Sequence, residues 1–302
     1  MMYDDRLVYI VNDNDNGRTL QKVLQGSLDI SSAFIRDLKR CNGMFINGEK
    51  GRTVDIVKTG DTVTVMLNVT DQEPTAYPEN IPLDILYEDN AIIAVHKPQN
   101  MPVHPTCLHQ YGTLSNAMAF YMIKNDYHGR IHIVSRLDRD TSGIVLFARN
   151  GFVQEQLKKQ GFRGEFIKTY YGLCAPSPNE NSGFINLPIK RKEGSIMERT
   201  IADDGIEALT EYHVVERFHD KALVKFHLHT GRTHQIRVHT SHSGFPLIGD
   251  ELYGGSMALP ELDLQGQALW AGKMEFIHPV TKKPISIVDR TPAWWPDESL
   301  EP

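Results

Sequence analysis

Leu20, Val23 and Leu24 recur at helical spacing, and Ala33, Phe34, Ile35 and Leu38 repeat the pattern after Ile30-Ser31-Ser32, whose serines are placed to cap a second helix. Beyond Cys41-Asn42-Gly43 the period changes to two. Met44 and Ile46, then Val54 and Ile56, alternate as in strands, with Asn47-Gly48 as a hairpin turn. Thr59-Gly60-Asp61 is a further turn before the alternating strand Val63-Thr64-Val65. The polar, proline-bearing stretch Asp71 to Pro78 then breaks all periodicity and reads as a linker. These changes divide the chain into a small α+β module over 1–70, a linker over 71–80 and a second domain over 81–302.

The second domain is rich in strands. Ile81 to Tyr87 and Ala91 to Val95 flank the turn Glu88-Asp89-Asn90. Thr113 to Ile123 and Phe152 to Lys159 have the character of helices. The apolar run Gly143 to Ala148 predicts a buried strand, and Tyr170 to Cys174 and Ala222 to Phe226 predict two more. Strands and helices mixed without strict alternation imply an α+β fold, with a largely antiparallel sheet and flanking helices. No internal repeat interrupts this pattern.

A chain of 302 residues has room for those two units. Its net charge of −6 counts against a general nucleic-acid binder, yet a local basic surface is enough for affinity; the acidic residues would then lie away from any RNA face. No apolar run approaches the roughly 20 residues of a membrane span, and the N-terminus lacks a basic, then apolar, signal pattern. Cys41, Cys107 and Cys174 are far apart and odd in number, so no disulfide framework or zinc ribbon is expected. The expectation is a cytoplasmic monomer with no membrane partner.

Three segments carry candidate chemistry. In Ser135-Arg136-Leu137-Asp138-Arg139-Asp140-Thr141-Ser142-Gly143 a carboxylate lies between two arginines, in a loop directly before the buried strand. Nearby arginines would keep Asp138 ionised, as attack on a sugar carbon requires. In Lys168-Thr169-Tyr170 the first and last residues share one face of a strand, where a tyrosine can stack on a base. The third segment, His227 to His239, contains Thr230-Gly231, a turn opening a helix near Thr233, with His234 and Arg237 three apart on one face. Guanidinium groups there can pair with phosphate or with a carboxylate. Its histidines would also suit a metal-dependent hydrolase, but no carboxylate or cysteine interleaves at ligand spacing and the arginines would repel a cation.

Taken in order, Arg136-Leu137-Asp138 through Gly143, Lys168-x-Tyr170 and Thr230-Gly231-Arg232-x-His234-Gln235-Ile236-Arg237-x-His239 resemble the motifs of the RluA-class pseudouridine synthases. The earlier Lys97-Pro98 and Val103-His104-Pro105 fit the same family. The resemblance implies isomerisation of uridine to pseudouridine in structured RNA, with base flipping and without metal or cofactor. It makes Asp138 the catalytic aspartate, Tyr170 the aromatic residue packed on the base, and Arg237 the partner of the carboxylate. Arg136 would fill the space the base leaves, and Thr141, Lys168, Arg232, His234 and Gln235 would complete the substrate site. Two positions depart from the family pattern: Ser135 replaces a histidine, and Asn100 a glycine.

The N-terminal module resembles an S-four-like RNA-binding domain through Gly17-Arg18-x-Leu20, Ser31-Ser32 with Arg36, Met44 to Gly48, and Val57-Lys58-x-Gly60-Asp61-x-Val63. Arg36, Lys39 and Arg40 share one helical face and, with Arg18, are the expected RNA contacts. Such a module suggests large-subunit ribosomal RNA as substrate, with transfer RNA the alternative. A different reading is an RNA-binding protein that kept this scaffold and lost catalysis.

Overall fold

The structure, a computed structural model, describes residues 6–67, 76–106, 109–127, 130, 132–255 and 264–296. Its first part is β1 (Arg6–Ile10), α1 (Leu20–Gly26), α2 (Ser32–Arg40), β2 (Met44–Ile46), β3 (Glu49–Lys50) and β4 (Thr62–Met66), in a four-stranded sheet of order β1-β4-β2-β3. Thr19 and Ser31 cap the two helices through their hydroxyls. The β2–β3 turn uses Asn47 and Gly48, both at positive φ (53° and 83°), as the sequence predicts. Val54 and Ile56 form no strand. They are 69% and 56% exposed, because Asp55 closes a turn by accepting the Arg52 amide at 2.7 Å; that bond occupies backbone a strand would need.

The larger part follows as β5 (Asp84–Glu88), β6 (Ile92–Lys97), α3 (Leu114–Lys124), β7 (His132–Ile133), β8 (Ser142–Ala148), α4 (Gly151–Arg163) and β9 (Ile167–Cys174). Next come β10 (Ser182–Asn186), β11 (Ile189–Arg191), β12 (Arg199–Ile201), β13 (Leu209–Phe218), β14 (Lys221–Leu228), α5 (Gln235–His242), β15 (Leu269–Ile277) and β16 (Pro284–Val288). Ten of these strands form one sheet, with the path β10-β13-β14-β9-β15-β8-β6-β5, β16 beside β15 and β7 beside β8. Every pair in it is antiparallel except β8 with β15. The fold is therefore α+β with a largely antiparallel sheet, as the unalternating order of elements implies.

The single parallel contact lies where the Asp138 loop enters β8, with Ser142 opposite Trp270 and Gly143 opposite Ala271. Gly143 has φ 116°, and a Cβ there would stand 2.4 Å from the Ala271 carbonyl oxygen. Only glycine permits this approach.

The polar stretch 71–75 lies outside the described residues, but the chain beyond it is anchored: the Asn116 amide donates to the Tyr77 carbonyl at 2.8 Å. The two parts share a core. Val11, Leu20, Phe34 and Val65 belong to the same apolar cluster as Ile92, Leu146, Phe152 and Met274. Phe34 and Phe152 meet at a ring-centroid distance of 6.0 Å, and Lys159 on α4 donates to the Asp29 carboxylate at 2.8 Å. Among the described residues no helix is long and apolar enough to cross a membrane.

A shared core predicts shared unfolding. Phe34→Ala should destabilise the whole chain by about 3–5 kcal/mol, within one cooperative transition. Denaturant unfolding followed by far-ultraviolet dichroism and by tryptophan fluorescence checks this, since all three tryptophans lie beyond residue 260; two separate transitions would refute it.

Candidate active site

The Asp138 loop is irregular backbone packed against the sheet, so its carbonyl groups need donors. Lys97, fully buried at the end of β6, supplies them. Its ammonium donates to the carbonyls of Pro98 (2.8 Å), Met101 (2.9 Å) and Arg139 (2.8 Å). Gln99 adds a bond to the Asp140 carbonyl at 3.1 Å, and the Thr141 amide turns back to the Asp138 carbonyl at 3.2 Å. Burial pulls Lys97 down to about 7, against the carboxylates of Asp140 and Asp138, which pull the other way. The two departures from the family pattern fit this framework. Asn100 sits at φ 59°, a conformation asparagine tolerates better than most residues. Ser135 is buried and accepts the Leu146 amide at 2.9 Å.

Asp138 is a quarter exposed and opens onto a cavity of about 70 Å³. Its partners are not the arginines beside it in sequence. Arg139 turns to Asp140, with Nε and Nη2 at 2.9 and 3.1 Å, and Arg136 is exposed at the cavity wall. The groups that approach come from the third segment: Arg237 Nη1 lies 3.5 Å and His234 Nε2 3.9 Å from the same Asp138 oxygen. Asp138 is the only carboxylate among the described residues lining the cavity; Arg136, Arg232, Arg237, His234 and Tyr170 also line it. The local surface is thus basic although the chain is acidic.

Two residues that the sequence reading passed over set this geometry. Asp250 is buried and accepts Arg237 Nε at 2.7 Å and Nη2 at 2.8 Å, which leaves Nη1 for Asp138. Tyr253 lies under the guanidinium, 5.0 Å from its ring centroid, and its hydroxyl is 2.7 Å from His234 Nδ1. That hydroxyl accepts the Arg199 amide at 2.9 Å. Where that hydroxyl gives its own proton to Nδ1, the imidazole proton lies on Nε2, facing Asp138. Burial pushes His234 down, with Arg237 and Arg199 adding to the effect and Asp138 opposing it. The sequence signal for this pair was a short Gly249-Asp250 to Tyr253-Gly254 segment without hydrophobic period.

The remaining candidates divide. α5 begins at Gln235, two residues later than Thr233, because His234 adopts φ 58° and cannot belong to the helix. The Gln235 amide is spent inside the protein: it accepts Thr230 Oγ1 and the Arg232 amide, each at 2.9 Å, and donates to Leu209 O and Thr210 Oγ1. It fastens the loop carrying Arg232 and His234. Thr141 is buried and accepts Gln267 Nε2 at 2.8 Å. Tyr170 is buried on β9, and burial, then the Asp138 charge, pushes its phenol well above the ordinary value; it stays protonated near neutral pH. Lys168 does not line the cavity, and its ammonium lies 5.9 Å from the Phe166 ring centroid.

In the first module Arg36, Lys39 and Arg40 are exposed on α2, Arg40 lying 3.4 Å from Asp37. Arg18 serves the fold, donating at 2.7 Å to buried Asp15, which also accepts Tyr9 and Ser27. Among the described residues no group of three histidine, cysteine or acidic side chains is placed to hold a metal. His229 instead meets Glu211 at 3.0 Å, and His239 is buried between Thr210 and the Leu187 carbonyl. Cys107 lies outside the described residues.

A family model described as RNA pseudouridylate synthase matches residues 91–242. Ribosomal large subunit pseudouridine synthase D of Xanthomonas campestris pv. campestris is 34% identical over 291 residues, which cover 91% of this chain and 86% of that protein. A Bacillus subtilis protein, described as uncharacterized RNA pseudouridine synthase YlyB, is 40% identical over 259 residues, covering 84% and 83%. Among solved structures, human RNA pseudouridylate synthase domain containing 4 superposes with a TM-score of 0.55 at 21% identity, over 69% of this chain and 88% of that one. That last likeness is one of fold.

Lys97 gives a pH test. Its folded pKa of about 7 lies below the unfolded value of 10.5. Between those values the unfolded state binds more protons, so this group's contribution to stability rises with pH. Unfolding free energies measured from pH 7 to 10 should show wild type gaining on Lys97→Met across that window. At pH 7, loss of three buried donors should still cost Lys97→Met on the order of 3 kcal/mol. A pH-independent difference would show that Lys97 is not buried as a strained cation.

Proposed function

The chain belongs to the RNA pseudouridylate synthase family and is an isomerase of uridine in RNA; on that premise we propose that Asp138 is its catalytic residue and large-subunit ribosomal RNA its substrate. The placement of Asp138 supports this reading: a lone carboxylate in a cavity walled by Arg136, Arg232 and Arg237. The arginines suit a phosphodiester chain, and the carboxylate suits attack on a sugar carbon. The target uridine must leave its stack to reach it. Asp138 attacks the sugar carbon as its bond to N1 breaks; the base rotates, and C5 bonds to that carbon as the Asp138 oxygen leaves, which returns the free carboxylate. The C5 proton leaves and N1 regains one, so nothing is oxidised.

Within this scheme Arg237 holds the Asp138 carboxylate in place through Nη1. Its bidentate bond to Asp250 stops it from neutralising that charge completely. His234 turns its Nε2 edge toward the same oxygen, 3.9 Å away. Tyr170, a protonated phenol, packs on the base and relays the C5 proton through its hydroxyl. Arg136 fills the gap left in the RNA. Arg36, Lys39 and Arg40 hold the RNA at a distance from the cavity as part of an S-four-like module. The names of relatives such as that from Xanthomonas support ribosomal RNA over transfer RNA. The enzyme is taken to act as a cytoplasmic monomer without metal or cofactor.

Pseudouridine formation on unmodified ribosomal and transfer RNA, in the presence of a chelator, tests the reading. Wild type should be active on ribosomal RNA, and Asp138→Asn should lose about a thousandfold or more. An equally active mutant would overturn the assignment. Asp250→Asn, which frees Arg237 to rotate, should lower kcat by about a hundredfold with little change in KM. Replacing Arg36, Lys39 and Arg40 together by alanine should weaken RNA binding, flatten its salt dependence, and leave turnover on saturating RNA near wild type. Unchanged binding would remove the module from the RNA contact.

A further inference from the structure

Tyr77 and Tyr111 are 67% and 60% exposed, and no other tyrosine among the described residues is exposed. Their rings meet edge to face, with centroids 5.9 Å apart and planes at 78°. An edge-to-face contact covers one of the four ring faces. Two aromatic rings held together in water forgo the burial that such side chains ordinarily gain. The isomerisation uses neither.

The pair is fixed from below. Asn116, fully buried in the first turn of α3, donates its side-chain amide to the carbonyls of Tyr77 (2.8 Å) and Gln110 (3.4 Å) and accepts the Thr113 amide at 3.0 Å. Its own carbonyl takes the Glu79 amide at 3.1 Å, and the Glu79 carboxylate takes the Gly112 amide at 2.6 Å. One buried side chain and one cross-strand bond thus tie the two backbones that carry the rings. A tyrosine has only two side-chain torsions, so little freedom remains to be lost when something lands on it.

The platform continues the wall of the catalytic cavity. Val103 and Leu114, at the two ends of the loop carrying Tyr111, belong to the same apolar cluster as Leu137, which lines that cavity. The Met101 amide donates to the Arg139 carbonyl at 3.1 Å. Burial, then the charge of cavity-lining Arg136, holds His104 below its ordinary value, so the start of the loop lies within the field of that arginine.

The chemistry of the surface narrows its partner. Neither ring brings a cation and Glu79 beside them is acidic, so phosphates are not what it fits. A protein partner needs about 800 Å² on each side, and the loop offers exposed Thr106, His109 and Gln110 instead of further apolar area. A flat, weakly polar group matches open aromatic faces, and an unpaired nucleobase is such a group.

We propose that Tyr77 and Tyr111 form a stacking platform for an unpaired base of the RNA, beside the catalytic cavity and distinct from the uridine that enters it. This rests on RNA being the substrate, and not on which RNA is modified.

The full chain is titrated with a short oligoadenylate, which has bases but no uridine to turn over, and with the same backbone made abasic. Wild type should prefer the oligoadenylate. The Tyr77→Ala, Tyr111→Ala double variant should bind it about tenfold more weakly and lose the preference, with the salt dependence unchanged because no phosphate contact is removed. Tyr111→Phe should keep wild-type affinity, whereas Tyr111→Leu, apolar but without a π face, should weaken it as Tyr111→Ala does. Denaturant midpoints should stay at the wild-type value, and kcat on saturating ribosomal RNA should not change. A double variant that binds oligoadenylate like wild type, a Tyr111→Leu equal to Tyr111→Phe, or a wild type with no preference between the two probes overturns the proposal. Wild type inactive on ribosomal RNA, with the oligoadenylate results as expected, would instead remove the ribosomal substrate and leave the platform standing.

Discussion

Everything at the catalytic cavity depends on keeping a short irregular loop in place without the help of helix or sheet. A loop pressed against a sheet edge presents carbonyl oxygens that water cannot reach. Lys97 answers this with one buried ammonium whose three donors meet three carbonyls from 98, 101 and 139. A neutral side chain of that size could not satisfy all three. The arrangement joins the end of β6 to the loop carrying Asp138, so the position of the carboxylate follows from the position of the sheet. The carbonyl dipoles and the carboxylates of Asp140 and Asp138 offset only part of the cost of that charge in the interior, since burial still pulls Lys97 down to about 7.

Around that anchor the charges are arranged in series. Asp250 takes two donors of Arg237, and the third nitrogen reaches Asp138 at 3.5 Å. With two carboxylates and one guanidinium the group keeps a net negative charge, and Asp138 is approached at 3.5 Å through one nitrogen instead of locked in a closed ion pair. Tyr253 supports both halves by lying under the guanidinium and bonding His234. Removing either Asp250 or Tyr253 would leave the Asp138 carboxylate in place while changing where its partners point.

The parts of this picture legible in the sequence are those with a local signal. Helices α1 to α4 and strands β5, β6, β8, β9 and β14 declared themselves by period and cap, and the hairpin at Asn47-Gly48 by its turn residues. Strands β10 to β13, β15 and β16 did not, because their pairing is fixed by distant partners and not by their own pattern. Val54 and Ile56 mimicked a strand, since alternation alone does not show that Asp55 has closed a turn. At the site, the motif segments located the carboxylate, and the family resemblance named Arg237, 99 residues away, as its partner, whereas sequence adjacency misled on the nearer arginine: Arg139 goes to Asp140. Asp250 stayed hidden because an acid beside Glu251, in a short segment between Gly249 and Gly254, looks like any turn. Lys168 shares a strand with Tyr170 but has its own surroundings beside Phe166.

The parallel seam between β8 and β15 has a consequence for the order in which the molecule comes into being. Gly143 closes onto Ala271, so the strand that fixes the Asp138 loop is flanked by a segment made well over a hundred residues later. A nascent chain already holding Asp138, Tyr170, His234, Arg237, Asp250 and Tyr253 would still lack Leu269 of the cavity lining and one wall of the strand on which the loop rests. Long-range closure of this kind is slow and comes after local structure. The loop and its charged partners are therefore synthesised before the strand that fixes their geometry.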